Sequence, residues 1–204
     1  MKHISFGAQW TLLTTLGLAG GLVAGVLLGM PLGQIANAMV VTAAVTCLVG
    51  GVLGSSQAVG LRRRLRNPFW WILATIIGVG FGLAAGVVVV EQVGILTTGN
   101  RPNIAQLNTV MRASSFVAVG FIAGTFLGIA QWLVLRIQMP QVKYWVLASG
   151  LALAVAFSAS SLLVDLAGFR IASASGGVMF VLLSGVAFGI MTSWPMRYGS
   201  RQMS

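Results

Sequence analysis

Six nearly uncharged stretches dominate this sequence and leave it few ways to fold. They run near residues 9–29, 35–60, 69–91, 110–136, 144–165 and 176–194, each close to the length of about 20 residues that a helix needs to cross a hydrocarbon core of roughly 30 Å. Inside such a core every backbone N–H and C=O must be bonded within the chain, so each stretch is expected to be a helix. Soluble helices carry a polar stripe at a period near 3.6 residues, and these stretches lack one. The composition agrees: 57% of the 204 residues are hydrophobic and 7% charged, against about 25% charged in globular domains. The expected fold class is all-α, an integral membrane six-helix bundle forming a single transmembrane domain over residues 1–204.

Proline and asparagine set the expected boundaries. Pro31 should stop the first helix, because proline loses a ladder bond and its ring clashes with the preceding turn. Asn67-Pro68 and Met139-Pro140 mark the turns before the third and fifth helices. Met1-Lys2-His3 has the look of a signal-peptide n-region, but the run from Trp10 to Met30 exceeds an h-region of about 7–15 residues. The first stretch is therefore expected to be a retained helix.

One pattern recurs. Gly50-x-x-x-Gly54-x-x-Gln57, a basic turn and Trp71-Ile-Leu-Ala-Thr75 are matched by Gly124-x-x-x-Gly128-x-x-Gln131, Arg136 and Trp145-Val-Leu-Ala-Ser149. A more degraded third copy ends in Gly185, Gly189 and Thr192, with Arg197 in the register of Arg136. The odd helices open on Trp10, Trp71 and Trp145 and carry small residues every fourth position: Gly17, Gly21, Gly25; Gly78, Gly82, Gly86; Ala152, Ala156, Ser160. The expectation is three parallel two-helix repeats, about 9–66, 67–139 and 140–199, pseudo-threefold about the membrane normal. Lipid tails are as apolar as leucine, so helices in a bilayer gain little by hiding leucine from water. Close van der Waals approach at small residues must hold them instead. Gly50, Gly54, Gln57, Gly78, Gly82, Gly86, Gly124, Gly128 and Gln131 are the expected contacts between and within repeats, with the glutamine amides hydrogen-bonding across helices.

The net charge of +10 raises nucleic acid as a partner, but the bases lie in short turns between apolar runs, where topology places them. Lys2, Arg62, Arg63, Arg64, Arg66, Arg136, Lys143, Arg197 and Arg201 fall on one side, and only Arg101, Arg112 and Arg170 on the other. Both termini are accordingly expected in the cytoplasm of a bacterial cell, with the chain in the cytoplasmic or an internal membrane. Trp10, Trp71 and Trp145 then belong to the inner interfacial belt. Arg62, Arg63, Arg64 and Arg66 form a patch suited to anionic lipid headgroups, each base near such a surface contributing about 1 kcal/mol.

Candidate chemistry is sparse. The two acidic residues, Glu91 and Asp165, occupy equivalent positions in the second and third copies. Intramembrane carboxylates are candidates for ion or solute contacts, and Arg112 is the base best placed to join them; a structural ion pair with Arg101, Arg112 or Arg170 is the plainer reading. Behind them lie the stripes Gly80, Ala84, Val87 and Ala154, Ser158, Ser161, expected to pack on protein or line a wet cleft. Gly80-x-Gly82-x-x-Ala85 resembles a dinucleotide fingerprint but has no preceding strand. Cys47 lies mid-run, where a cysteine is expected to act as a small core hydrophobe. His3 stands alone, so no metal site, no cofactor and no catalytic set is expected, and no enzymatic activity. The segment from Gln92 to Thr109 is the longest expected loop.

The G-x-x-x-G-x-x-Q and W-x-L-A-[ST] motifs, which span nearly the whole chain, resemble those of small uncharacterised polytopic bacterial membrane proteins; that resemblance implies a fold but no activity. In size, span number and basicity the chain also looks like the substrate-capturing subunits of vitamin-uptake transporters, although the threefold repeat departs from them. Two functions follow as expectations: a structural or accessory subunit packing against a membrane partner or its own copies, and a small-solute transporter, channel or capture subunit with an outward-facing cleft.

Overall fold

The computed structural model of the chain describes residues 5–62, 64–98, 107–138, 142, 144–171 and 173–201. Among these it has six α-helices: α1 (Phe6–Ile35), α2 (Ala38–Leu61), α3 (Pro68–Thr98), α4 (Thr109–Gln138), α5 (Trp145–Leu166) and α6 (Ala174–Arg201). All six are long and apolar enough to cross a membrane, consistent with a multi-pass membrane protein. Short polar side chains start several of them. Asn37 Oδ1 accepts from the Val40 amide at 3.0 Å and Asn108 Oδ1 from the Met111 amide at 2.8 Å, each satisfying one of the amides a helix leaves unpaired at its start. Asn67 Oδ1 likewise accepts from the Phe69 amide at 3.0 Å, with Pro68 in the first helical position, where its missing N–H is not needed.

Each helix packs on its sequence neighbours and α6 packs on α1, so the six close into a ring. Glycines set the spacing at five of the six junctions. A Cβ added to Gly21 would lie 2.8 Å from Val49 Cα, one on Gly50 2.7 Å from Ile76 Cα, and one on Gly82 2.8 Å from Ala123 Cα. At the remaining two, Gly128 would meet Val146 Cα at 2.8 Å and Gly189 would meet Thr11 Cα at 2.8 Å. Residue numbers rise on one side of each junction as they fall on the other: Gly78, Gly82 and Gly86 face Leu127, Ala123 and Val119. Neighbouring helices therefore run antiparallel. Large apolar side chains such as Leu16, Leu27, Phe81, Val88 and Ile190 are exposed around the outside, a surface that water would not tolerate but acyl chains would.

Several expectations are corrected. Pro31 does not stop α1, which continues through it to Ile35. Near an exposed helix end the lost ladder bond is cheaply compensated, and proline's own φ is helical. α3 extends to Thr98, so Glu91 sits two turns inside a helix and the expected loop from Gln92 is helical at its start; residues 99–106 lie outside those described. Cys47 is exposed, because α2 turns Val45 and Val49 toward α1 and Gly50 and Gly54 toward α3, leaving position 47 on the outer face. Of the stripe behind Glu91, Ala84 and Val87 are exposed and Gly80 has nothing within 4 Å of an added Cβ, so that side of α3 is unpacked. Behind Asp165, Ala154 and Ser161 are buried.

The largest correction concerns the tryptophans. Trp10, Trp71 and Trp145 are each 0% exposed and form part of the core instead of an interfacial belt. Among the described residues Trp70, Trp194 and Tyr144 are exposed rings at that end, where amphipathic aromatics favour a membrane boundary.

Candidate functional site

The N-terminal turns of α1, α3 and α5 bring their tryptophans together on the ring axis. Ring centroids are 6.4 Å apart for Trp10–Trp71, 6.4 Å for Trp10–Trp145 and 6.3 Å for Trp71–Trp145, within the range of favourable edge and tilted aromatic pairs. Leu61, Leu65, Leu135 and Val142 pack into the same buried cluster. Leu65 and Val142 come from the α2–α3 and α4–α5 connections, so these two side chains pack onto the tryptophans from that end. Arg64, in the first of these turns, lies 4.1 Å over the Phe6 ring, and burial lowers its pKa from the ordinary arginine value. Arg62 and Arg66 are exposed; Arg63 lies outside the described residues.

One turn deeper, each helix contributes one buried polar side chain: Thr14, Gln57, Thr75, Gln131, Ser149 and Thr192, all 0–1% exposed. Gln131 is the hub. Its Nε2 donates to Thr75 Oγ1 at 3.0 Å and Gln57 Oε1 at 3.3 Å, and its Oε1 accepts from Trp145 Nε1 at 3.2 Å. Gln57 Nε2 donates to Thr14 Oγ1 at 3.4 Å, and Trp10 Nε1 to Thr192 Oγ1 at 3.0 Å. Thr75 and Thr192 donate in turn to the carbonyls of Trp71 at 2.8 Å and Phe188 at 2.7 Å. The girdle is thus uncharged and mostly satisfied, as a low-dielectric interior demands; Ser149 Oγ and, in the layer above, Trp71 Nε1 are buried without a partner among the described residues.

No family model, curated protein or solved structure matches this chain. What the girdle and its surroundings do must therefore be read from their chemistry. Gln131→Leu should destabilise the bundle by about 1–2 kcal/mol, since Trp145 and Thr75 both lose a short bond. Gln57→Leu should cost less, because its bonds to Thr14 and Gln131, at 3.4 and 3.3 Å, are the longest in the girdle. Thermal unfolding of the two variants in mild detergent checks the ranking.

The carboxylates lie at the opposite end. Asp165 Oδ2 is ion-paired with Arg112 Nη2, with side-chain exposures of 18% and 16%, and Arg112 Nη1 also donates to the Leu107 carbonyl at 3.3 Å. That guanidinium ties α5 to α4 and to the chain entering α4. Glu91 is half-buried and has no ion pair among the described residues; Arg170 is exposed, and Arg101 is outside the described residues. The structure does not bring Glu91 into the Arg112–Asp165 pair. Arg112→Ala leaves the Asp165 charge part-buried and alone, and should cost about 1–3 kcal/mol. Adding Asp165→Asn should restore most of it, a double-mutant cycle read by thermal unfolding. No cluster of three or more metal-ligating side chains occurs among the described residues. A groove of about 500 Å³ between α1 and α6, lined by Ala8, Thr11, Thr15, Val186 and Ser193 among others, contains no ionisable group.

The sequence points to Gln57 and Gln131, and to Thr192 at the end of the third copy, but not to Thr14 and Thr75 as the glutamines' partners or to Ser149 beside them. The signal was present: every odd helix opens Trp-x-x-x-Thr/Ser, at Trp10–Thr14, Trp71–Thr75 and Trp145–Ser149, a spacing that stacks the two side chains on one helix face.

Proposed function

We propose that this chain is a structural or accessory subunit of a membrane assembly, built from three parallel hairpins about an axis along the membrane normal. The tryptophan end lies in the bacterial cytoplasm with both termini, and the chain packs against a membrane partner or its own copies. The observation that carries this reading is the filled axis. Three indoles, backed by Leu61, Leu65, Leu135 and Val142, fill the axis at one end of the ring, and most polar atoms of the girdle behind them bond each other or the backbone. A solute path would keep such atoms facing a wet lumen. Glycine lines at the junctions do the holding, as expected where hydrocarbon surrounds the helices. Arg62, Arg64 and Arg66 would meet anionic headgroups beside the exposed Trp70. The chain performs no catalysis in this reading and needs no cofactor.

Purification from the native membrane in mild detergent, with mass spectrometry of co-purifying subunits and an absorbance scan, tests the proposal. A stoichiometric membrane partner or a defined homo-oligomer is expected. A lone monomer carrying one bound solute would sink it. That outcome would favour a capture or transport role at the carboxylate end, a reading supported by half-buried Glu91, which has no ion pair among the described residues. Neutralising Glu91 and Asp165 together would then abolish ligand-induced thermal stabilisation.

A further inference from the structure

The girdle is not equally satisfied in its three arms. Gln57 reaches Thr14 across α1 and α2, and Gln131 reaches Thr75 across α3 and α4. At the corresponding positions α6 carries Thr192 and α5 carries Ser149, shorter by an amide and by a methyl. Thr192 Oγ1 accepts from Trp10 and donates to the Phe188 carbonyl, which spends its proton and leaves it one acceptor lone pair. Ser149 Oγ is buried with no hydrogen-bond partner. The two positions are bracketed by one packed layer on each side. Trp145, one turn before Ser149, contacts Trp10, the donor to Thr192; Leu153, one turn after it, shares a buried cluster with Phe188, one turn before Thr192. Gly128 fixes the wall behind Ser149, since a Cβ there would stand 3.0 Å from Ser149 Cβ. That contact holds α5 against α4, so Ser149 cannot swing to a new partner without disturbing the neighbouring Gln131 arm.

We propose that this third arm binds water, held by Ser149 Oγ and Thr192 Oγ1 in place of the missing glutamine amide. The ligand's chemistry follows from the lining. A buried hydroxyl without a partner calls for a polar guest, and a girdle with no ionised side chain offers an ion no countercharge. The guest is neutral and small. The comparison of arms rests on the three-hairpin reading above, but the test separates the two.

The experiment measures thermal unfolding in mild detergent for the wild type, Thr192→Gln/Ser149→Thr and Thr192→Met, alongside a high-resolution map of the wild-type protein. Rebuilding the arm with the amide should displace the water and raise Tm by about 2–4 °C. Methionine fills similar space without hydrogen bonds, strands Trp10 as well as Ser149, and should lower Tm. The map should show an ordered water within hydrogen-bonding distance of Ser149 Oγ. If methionine stabilises as much as the glutamine pair, or if that density is absent, the arm is a dry void and the proposal falls; the density decides alone should the variants not fold. The hairpin reading fails by a different result, namely that α5–α6 does not superpose on α1–α2 and α3–α4 in the same map.

Discussion

Trp71→Ala should cost the bundle about 3–5 kcal/mol, whereas Trp70→Ala, one residue away, should change its stability by less than about 0.5 kcal/mol. The contrast follows from which side of α3 each ring occupies. Trp71 is 0% exposed and touches both other core indoles, while Trp70 is 54% exposed. Removing the first leaves a cavity that Trp10, Trp145 and Leu65 cannot collapse into, because the glycine contacts hold the helices at their spacing. Trp145→Ala should be worse again by about 1 kcal/mol, since it also strands Gln131 Oε1. Trp71→Phe should be the mildest core change, keeping an aromatic ring in place and losing no hydrogen bond, since Trp71 Nε1 is buried without a partner among the described residues. The measurement is the fraction surviving as a monodisperse species on size exclusion after graded heating, a readout independent of tryptophan fluorescence. Equal losses for Trp70→Ala and Trp71→Ala would show that the indoles do not form the core.

The same tryptophans show where sequence reasoning loses its grip. Apolar length is a property of one segment at a time, so the six helices could be read directly, as could caps such as Asn37 and Asn108. Which way a side chain points is a property of the assembled ring. Trp70 and Trp71 are adjacent, equally amphipathic and equally suited to a membrane boundary, yet only one faces the axis; nothing local distinguishes them. Cys47 was misplaced for the same reason, its neighbours having claimed both packing faces of α2. α1 and α3 run past their expected ends, to Ile35 and Thr98, because proline's own φ is helical and a helix does not have to end where its apolar run does. At the candidate site, Asp165 and Arg112 could be nominated as the scarce charges of an apolar chain. Their pairing with each other, and Glu91's exclusion from the pair, depends on how α4 and α5 face one another. Thr14, Thr75 and Ser149 stayed hidden because hydroxyls in apolar helices are usually satisfied by their own backbone, as Thr15 and Thr46 are here.

Gly82→Leu should disrupt folding outright, and Gly82→Ala should already cost more than the roughly 1 kcal/mol of helix propensity that alanine gains over glycine. The atoms in the way decide this. A Cβ at Gly82 would stand 2.7 Å from the Ala123 carbonyl oxygen and 2.8 Å from Ala123 Cα. Backbone cannot rotate aside as a side chain can, so α3 and α4 must separate along their whole contact, taking Gly78 and Gly86 out of reach with them. Overpacking a tight core costs about 1–3 kcal/mol when side chains can adjust and more when they cannot. Separation also has no hydrophobic remedy in a bilayer, because lipid fills the gap without the restoring drive that water would supply. Gly80→Ala is the matched control: two residues away on the same helix, with nothing within 4 Å of its added Cβ, it should leave stability unchanged or slightly raised. Thermal unfolding of Gly80→Ala, Gly82→Ala and Gly82→Leu in one detergent gives the order. If Gly82→Ala proves as harmless as Gly80→Ala, the α3–α4 approach is looser than these contacts require, and the fixed spacing that confines the tryptophan cluster goes with it.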